Sequence, residues 1–524
     1  MAEQRITIDS VLGGVAKSAY FAQKDQYQAA IGIDPDLPID ESTVRYEGFL
    51  RPTSMAKFSA TEITGVPLWF VTNPKTTDTY LYANDGKVHT VASNLTMGTA
   101  LNSGSALSSS GGNGAEYYDN YAYFVKNTDI ARYGPLNGAP SLSQTYWTST
   151  LGKTALTDTT YPTINGVELP NHPMYVHPGN NKAYIGDVVS NVGVLHLLAT
   201  TKTTVEGDTD NGSTYNALDT YYGWYPTTIC HYGTEVVVGL IEGTDTTVKQ
   251  KNAKIIFWDT TATTYGLFID KELPDTLVTA TRNVNGQLYV FTGNATGGCR
   301  VLRYAGGHTF EEMYYDSDAY PPLPGAVDAL LNRVLWGGNV TDPASAAVVK
   351  SLGSKQTGFM SQRAMHVPYR ATSSNTTNQS VTAIKFIQQP TFLKPIPVIG
   401  WSDNAAKGLD KPSTTYQTSY WQSRVFKIGR PFQIKSVTIP LAQAVATNMT
   451  IAMNIYVDDA STSIPLATIN STNYSGSERL IKDTTDAVRG YSNFFLELVW
   501  SGTALATVGL PITIIVDIEE DGTN

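Results

Sequence analysis

The sequence predicts an all-β protein: a β-propeller of about six or seven blades followed by a jelly-roll-like β-sandwich. Three observations carry this reading. Only 16% of the 524 residues are charged, and 31 tyrosines, 44 glycines and many Thr, Asn and Ser accompany a 41% hydrophobic fraction. That is the composition of rigid β structure, not of a coiled coil or a disordered chain. A unit made of an apolar run, a polar turn and a second apolar run recurs six times between Leu68 and Ser351, the mark of stacked hairpins too small to bury both faces alone. From Arg424 onward a new series of short strands begins, with period-two alternation clearest in Gln433 to Ile439.

Taken in order, residues 1–63 read as an N-terminal arm. Val15 to Ala30 is rich in Ala, Gln and Lys and is expected to form one short helix, and GIDPDLPIDEST after it is a turn-rich extended loop. Residues 64–395 carry the propeller. LWFV is answered by YLYA, YAYFV by IARYG, KAYIGD by VLHLL, EVVVGL by IIFWD, QLYVFTG by RVLRYAG and RVLWGG by AVVKS. With Tyr80, Tyr123, Tyr184, Val237, Tyr289 and Leu335 as anchors the intervals are about 43, 61, 53, 52 and 46 residues, near the repeat of propeller blades with loop insertions. A β-helix would need a stricter period, and separate sandwiches would not repeat one hairpin in succession. Trp69, Tyr80, Tyr123, Tyr184, Trp258, Tyr289 and Trp336 are expected to pack between blades. Residues 396–423, with the proline-rich KPIPVIGW just before and within them, read as a semi-rigid linker, and 424–524 as the sandwich.

The charge balance, 36 basic against 46 acidic residues with no block of Lys or Arg, disfavours a reader of DNA grooves, so no sequence-specific nucleic acid is expected. The longest apolar stretches, such as Ile512 to Ile518, are too short to span a bilayer, and Met1 to Gly14 shows no secretory pattern. Cys230 and Cys299 have no CxxC spacing and are expected as two separate buried thiols.

Asp85 in YANDGKVHTV reads as a hairpin turn, not a sialidase Asp-box. Asp208, Asp210 and Asp219 are spaced somewhat like a calcium loop, with glycine one position early and Asp where Glu would chelate, so a solvated loop is expected. His172 and His177 fall on opposite faces of an extended segment. LGGVAKS lacks the glycine that a phosphate loop needs before its lysine, and Gly104-Ser105-Ala106 is no serine elbow. The loop acids Asp316, Asp318, Glu478 and Asp483 share no motif with which to form the paired carboxylates of a glycosidase. No catalytic residue, cofactor or metal is therefore expected, and the chain is read as not an enzyme.

What remains is surface. TYYGWYPT, MYYDSDAYPPLP and TTYQTSYW place rings among small polar residues, so Tyr221, Tyr222, Trp224, Tyr225, Tyr314, Tyr315, Tyr320, Tyr416, Tyr420 and Trp421 are candidate surface contacts. Rings bring large contact area at low entropic cost and stack on sugar faces.

The segments SAYFAQKDQYQAAIGIDPDLPI, GFLRPTSMAKFS, HPGNNKAYIGD and RVFKIGRPFQIKSVTIPL, in this order, resemble virion structural proteins of tailed bacteriophages, in particular the propeller-bearing tail nozzle or hub proteins of short-tailed phages. The resemblance implies a non-enzymatic part of the virion, assembled in the host cytoplasm. It implies a homo-oligomeric ring and contacts to other virion proteins, here expected through the N-terminal arm. The alternatives are a glycan-binding or depolymerising protein that meets a host surface glycan, and a capsid-surface decoration protein.

Overall fold

The structure is a computed structural model. It describes residues 2–520 apart from 37–49, 199–215, 244–250, 261–268, 341–345, 354–363, 389–394, 473–478, 484–487 and 503–510, and from a few stretches of one to four residues.

Seven four-stranded antiparallel sheets follow one another along the chain. Their first strands are Pro67–Thr72, Gly114–Tyr118, Met174–His177, Trp224–Tyr232, Leu277–Val284, Val327–Leu330 and Ser380–Ile387. Each first strand packs against the next, and Ser380–Ile387 returns to Pro67–Thr72, closing a ring around a shared axis. This is a seven-bladed propeller. The sixth hairpin unit of the sequence is thus followed by a seventh blade in a stretch read partly as linker.

The anchors do what the pattern requires. Tyr80, Tyr123, Tyr184, Trp258, Tyr289 and Trp336 are buried, and their rings meet across blades: Tyr184 on Trp258 with centroids 5.7 Å apart, Trp336 on Phe291 at 5.7 Å, Tyr80 on Phe124 at 6.3 Å. Trp69 is only half-buried; its indole nitrogen donates to the Gly112 carbonyl at 2.6 Å. The long second interval reflects an insertion after blade two that holds a helical turn at Tyr146–Thr150 and a small hairpin, Thr163–Ile164 with Val167–Glu168.

The sandwich has two sheets and takes strands from both ends of the chain. Ala2–Ile8 pairs with Ile514–Glu520, which pairs with Phe432–Pro440. In the facing sheet Gln26–Ile31 pairs with Ser419–Ser423, which pairs with Asn493–Gly502, and that strand with Met449–Val457. Ile434, Val437, Ile451, Met453, Leu496, Trp500 and Val516 fill the space between the sheets.

Three expectations are corrected here. Residues 1–63 are not a free arm: Ala2–Ile8 and Gln26–Ile31 are sandwich strands, and Met55–Lys57 is the outermost strand of blade seven, paired with Lys407–Pro412. The expected helix over 15–30 is replaced by a strand and a short 3-10 turn, Ala19–Phe21; pairing in a buried sheet overrides the propensity of Ala, Gln and Lys. Residues 396–423 are not a linker either. Ile396–Ser402 and Lys407–Pro412 belong to blade seven, and Pro397 is accommodated next to the first residue of its strand, where a missing donor is tolerated.

The sandwich seats on the outer strand of blade six, Met365–Arg370. Gly32 donates its N–H to the Val367 carbonyl at 2.9 Å, and Arg370 reaches the Thr418 carbonyl at 3.2 Å. Gly14 has φ +76°, and a Cβ there would lie 2.5 Å from the Met365 nitrogen, so only glycine permits this approach. Beside it, fully buried Arg333 forms a fork on Asp34 at 2.8 and 3.0 Å and lies 3.4 Å from Asp36. Tyr27 meets His366 Nδ1 at 2.7 Å.

Candidate functional site

All seven first strands contribute to a cavity of about 360 Å³ on the propeller axis. Side chains on a strand alternate between faces, and each strand places at least one polar or aromatic group around the wall, among them, in ring order, Trp69, Glu116, Tyr175, His231, Arg282, Asp328 and Lys385. Arg282 donates to Asp328 at 2.7 Å, and the other carboxylate oxygen of Asp328 accepts the Phe386 N–H at 2.9 Å. Tyr175 hydrogen-bonds to His231 Nδ1, and Asn283 donates to the His231 carbonyl at 3.1 Å. Burial pushes the Glu116 carboxyl above its usual range against the pull of Lys385 and Arg282. Burial, then the neighbouring His177 and Arg282, lowers His231, which leaves its ring neutral near pH 7. Cys230 is buried behind the wall and its thiol is pushed up to about 12 by desolvation, as is Cys299 in blade five. Both are inert separate thiols, in line with their spacing.

The described candidate surface rings separate into exposed, half-buried and buried groups. Tyr222 and Tyr315 are exposed, at 71% and 46%. They end the outer strands of blades three and five, Asn216–Tyr222 and Thr309–Asp316. Arg300 lies over Tyr315 at 4.5 Å, and Lys254 lies over the neighbouring Tyr221 and Trp224 at 4.6 and 4.9 Å. Trp224, Tyr225, Tyr420 and Trp421 are buried, a correction to their reading as surface, since they open or fill paired strands. Tyr221, Tyr314 and Tyr320 are half-buried, and Tyr416 lies outside the described residues.

Among the acids singled out in the sequence, Asp85 and Asp316 brace turns. Asp85 sits in the hairpin between Thr79–Ala83 and Val88–Val91 and accepts the Lys87 N–H at 3.2 Å. Asp316 accepts from Tyr314 at 2.9 Å and from buried Lys350 at 3.2 Å, and it also takes the Asp318 N–H at 3.1 Å. Burial opposes ionisation of Asp316, but Lys350 holds it below the usual carboxylate range. Asp483 lies on Arg479–Asp483, paired with Phe432–Pro440. Glu478, Asp208 and Asp210 lie outside the described residues, and Asp219 is on the outer strand of blade three.

Sequence reasoning missed two polar clusters. His172 Nδ1 and Nε2 lie 3.0 Å from the Gly186 carbonyl and 2.8 Å from the Asn127 carbonyl, and His196 Nε2 lies 3.0 Å from Asp187. Asp187 also accepts the Thr157 N–H at 3.1 Å, tying blade three to the preceding insertion. The second cluster is the axial wall itself, whose members are spread from Trp69 to Lys385 with only the repeat to connect them. Among the described residues no group of three or more His, Cys, Asp or Glu is placed to hold a metal ion, and no helix is long and apolar enough to cross a membrane.

No family model and no curated protein matches this chain. Among solved structures it is similar to the extracellular domain of a two-component system from B. thetaiotaomicron, at 11% identity and a TM-score of 0.40 over 78% of this chain and 44% of that one. It is also similar to the Dos1 propeller, at 9% identity and TM-score 0.38 over 69% and 95% of the two chains. A third is the computationally designed Ika8 protein, at 12% and 0.32 over 71% and 97%. The chain spans less than half the length of the first of these. Each is a distant likeness of β architecture, and none bears on function.

Proposed function

We propose that this chain is a non-enzymatic structural component of a tailed-phage virion, a propeller–sandwich body set in a tail nozzle or hub ring. One observation carries the reading: the N-terminal segment of the chain is woven into both domains. The sandwich takes strands from residues before and after the propeller, and blade seven takes its last strand from Met55–Lys57. The sandwich is therefore completed only by two separated stretches of chain, the propeller ring is closed by the strand that leads into blade one, and the buried Arg333–Asp34 fork holds the seam. A part that keeps neighbours in register benefits from such a body, because inter-domain motion is the default where few contacts cross a boundary. The axial cavity, with its mixed charges and salt-linked Arg282 and Asp328, lacks the cationic lining by which a protein holds nucleic acid. DNA is therefore expected outside the propeller axis. Mass spectrometry of purified particles tests the proposal: the chain is expected in fixed stoichiometry and to stay with tails after DNA ejection. Its absence from purified particles would refute it.

A second reading, recognition of a host surface glycan, is favoured by exposed Tyr222 and Tyr315, the latter with Arg300 over its ring. Glycan-array binding that is lost in a Tyr222→Ala, Tyr315→Ala double variant would support it.

A further inference from the structure

Four full charges face the axial cavity, and they are not equivalent. Arg282 and Asp328 neutralise one another at 2.7 Å, and Asp328 is further satisfied by the Phe386 N–H. Glu116 and Lys385 are left. Among the described residues neither makes an ion pair, and the one hydrogen bond of the Glu116 carboxylate is to the N–H of Tyr117, its own neighbour, at 3.1 Å. The two charges feel each other across blade one, which lies between their strands in the ring and presents Trp69 and Phe70 to the cavity. Solvent reaches this wall, since the Arg282 side chain keeps 37% of its surface exposed. Half-buried charges without partners are costly, and a pair of opposite sign held apart is a complementary seat for a molecule that carries both signs.

We propose that the axial cavity binds a small zwitterion of the α-amino-acid type, its ammonium on Glu116 and its carboxylate on Lys385, with the side chain against Trp69. The volume of about 360 Å³ lies at the lower end of ordinary ligand pockets and exceeds what one amino acid occupies. The apolar part of the wall favours an aliphatic or aromatic side chain. The site requires nothing of the virion reading and can hold even if that reading fails.

The test is calorimetry on the full-length protein with L-phenylalanine and L-leucine. N-acetyl-L-phenylalanine, which lacks the ammonium, L-phenylalaninamide, which lacks the carboxylate, and glucose serve as comparisons. Binding of a free amino acid, with each charge-deleted derivative weaker by about tenfold or more, is the expected result. Glu116→Gln and Lys385→Met should each cost the free amino acid a similar factor and leave the derivative that lacks the matching charge unaffected. No binding of any amino acid at millimolar concentration would overturn the proposal. So would equal binding of the derivatives, or binding of glucose alone. The ligand series on the unmodified protein decides the matter even if a variant fails to fold.

Discussion

Arg333 and His366 show how single side chains set the stability of the seam. The Arg333 guanidinium is fully buried on Asp34 and Asp36, so Arg333→Met would leave two carboxylates in a dry site. We expect a loss of about 3 to 5 kcal/mol in denaturant unfolding, part of it recovered in an Arg333→Met, Asp34→Asn double variant. His366 is buried beside Tyr27, Asp34 and Arg333, and burial lowers its pKa from 6.5 to about 4. Its stabilising contribution is thus complete above the unfolded value and fades as pH falls through that window, because the unfolded chain takes up the proton first. Unfolding free energies at pH 7.5 and 4.5 should show a component of about 2 to 3 kcal/mol that His366→Gln removes. Neither residue was legible in the sequence: Arg333 and Asp34 are 299 positions apart, and nothing local marks an arginine as buried. Tyr289, by contrast, was legible, because it sits at the centre of a repeating apolar run. Tyr289→Ala should cost about 3 to 5 kcal/mol; unchanged stability would contradict the blade register.

At the scale of elements the repeat told most of what could be told. Six hairpin units are periodic apolar runs broken by turns; five became the middle strands of a blade and the first became the opening two strands of blade one. The seventh was hidden by Pro397 and by the polar tract before it, and its fourth strand comes from residues 55–57, more than three hundred positions away. The axial wall was hidden for the same reason: its residues line one cavity from seven separate strands and share no spacing in the chain. Only glycine can occupy position 14 at φ +76° against Met365, so Gly14→Val should loosen the sandwich from blade six by more than about 1 kcal/mol. Thermal unfolding of that variant is expected to shift downward, and faster amide exchange in Gln26–Ile31 should accompany the shift.

For the molecule as a whole, propeller and sandwich are one body, the sandwich built from both ends of the chain and the ring closed by Met55–Lys57. Residues 1–63, expected from sequence to be ordered only by a neighbouring subunit, carry strands buried in both domains, with Tyr27, Ile31 and Met55 in the cores. Hydrogen exchange on the isolated monomer tests this most directly. The amides of Gln26–Ile31 and Met55–Lys57 that lie in sheet ladders should exchange as slowly as those of Gln287–Asn294 in blade five, opening only with global unfolding. Rapid exchange of these two strands while blade five stays protected would contradict the account and return the N-terminal residues to the role of an arm that waits for a partner.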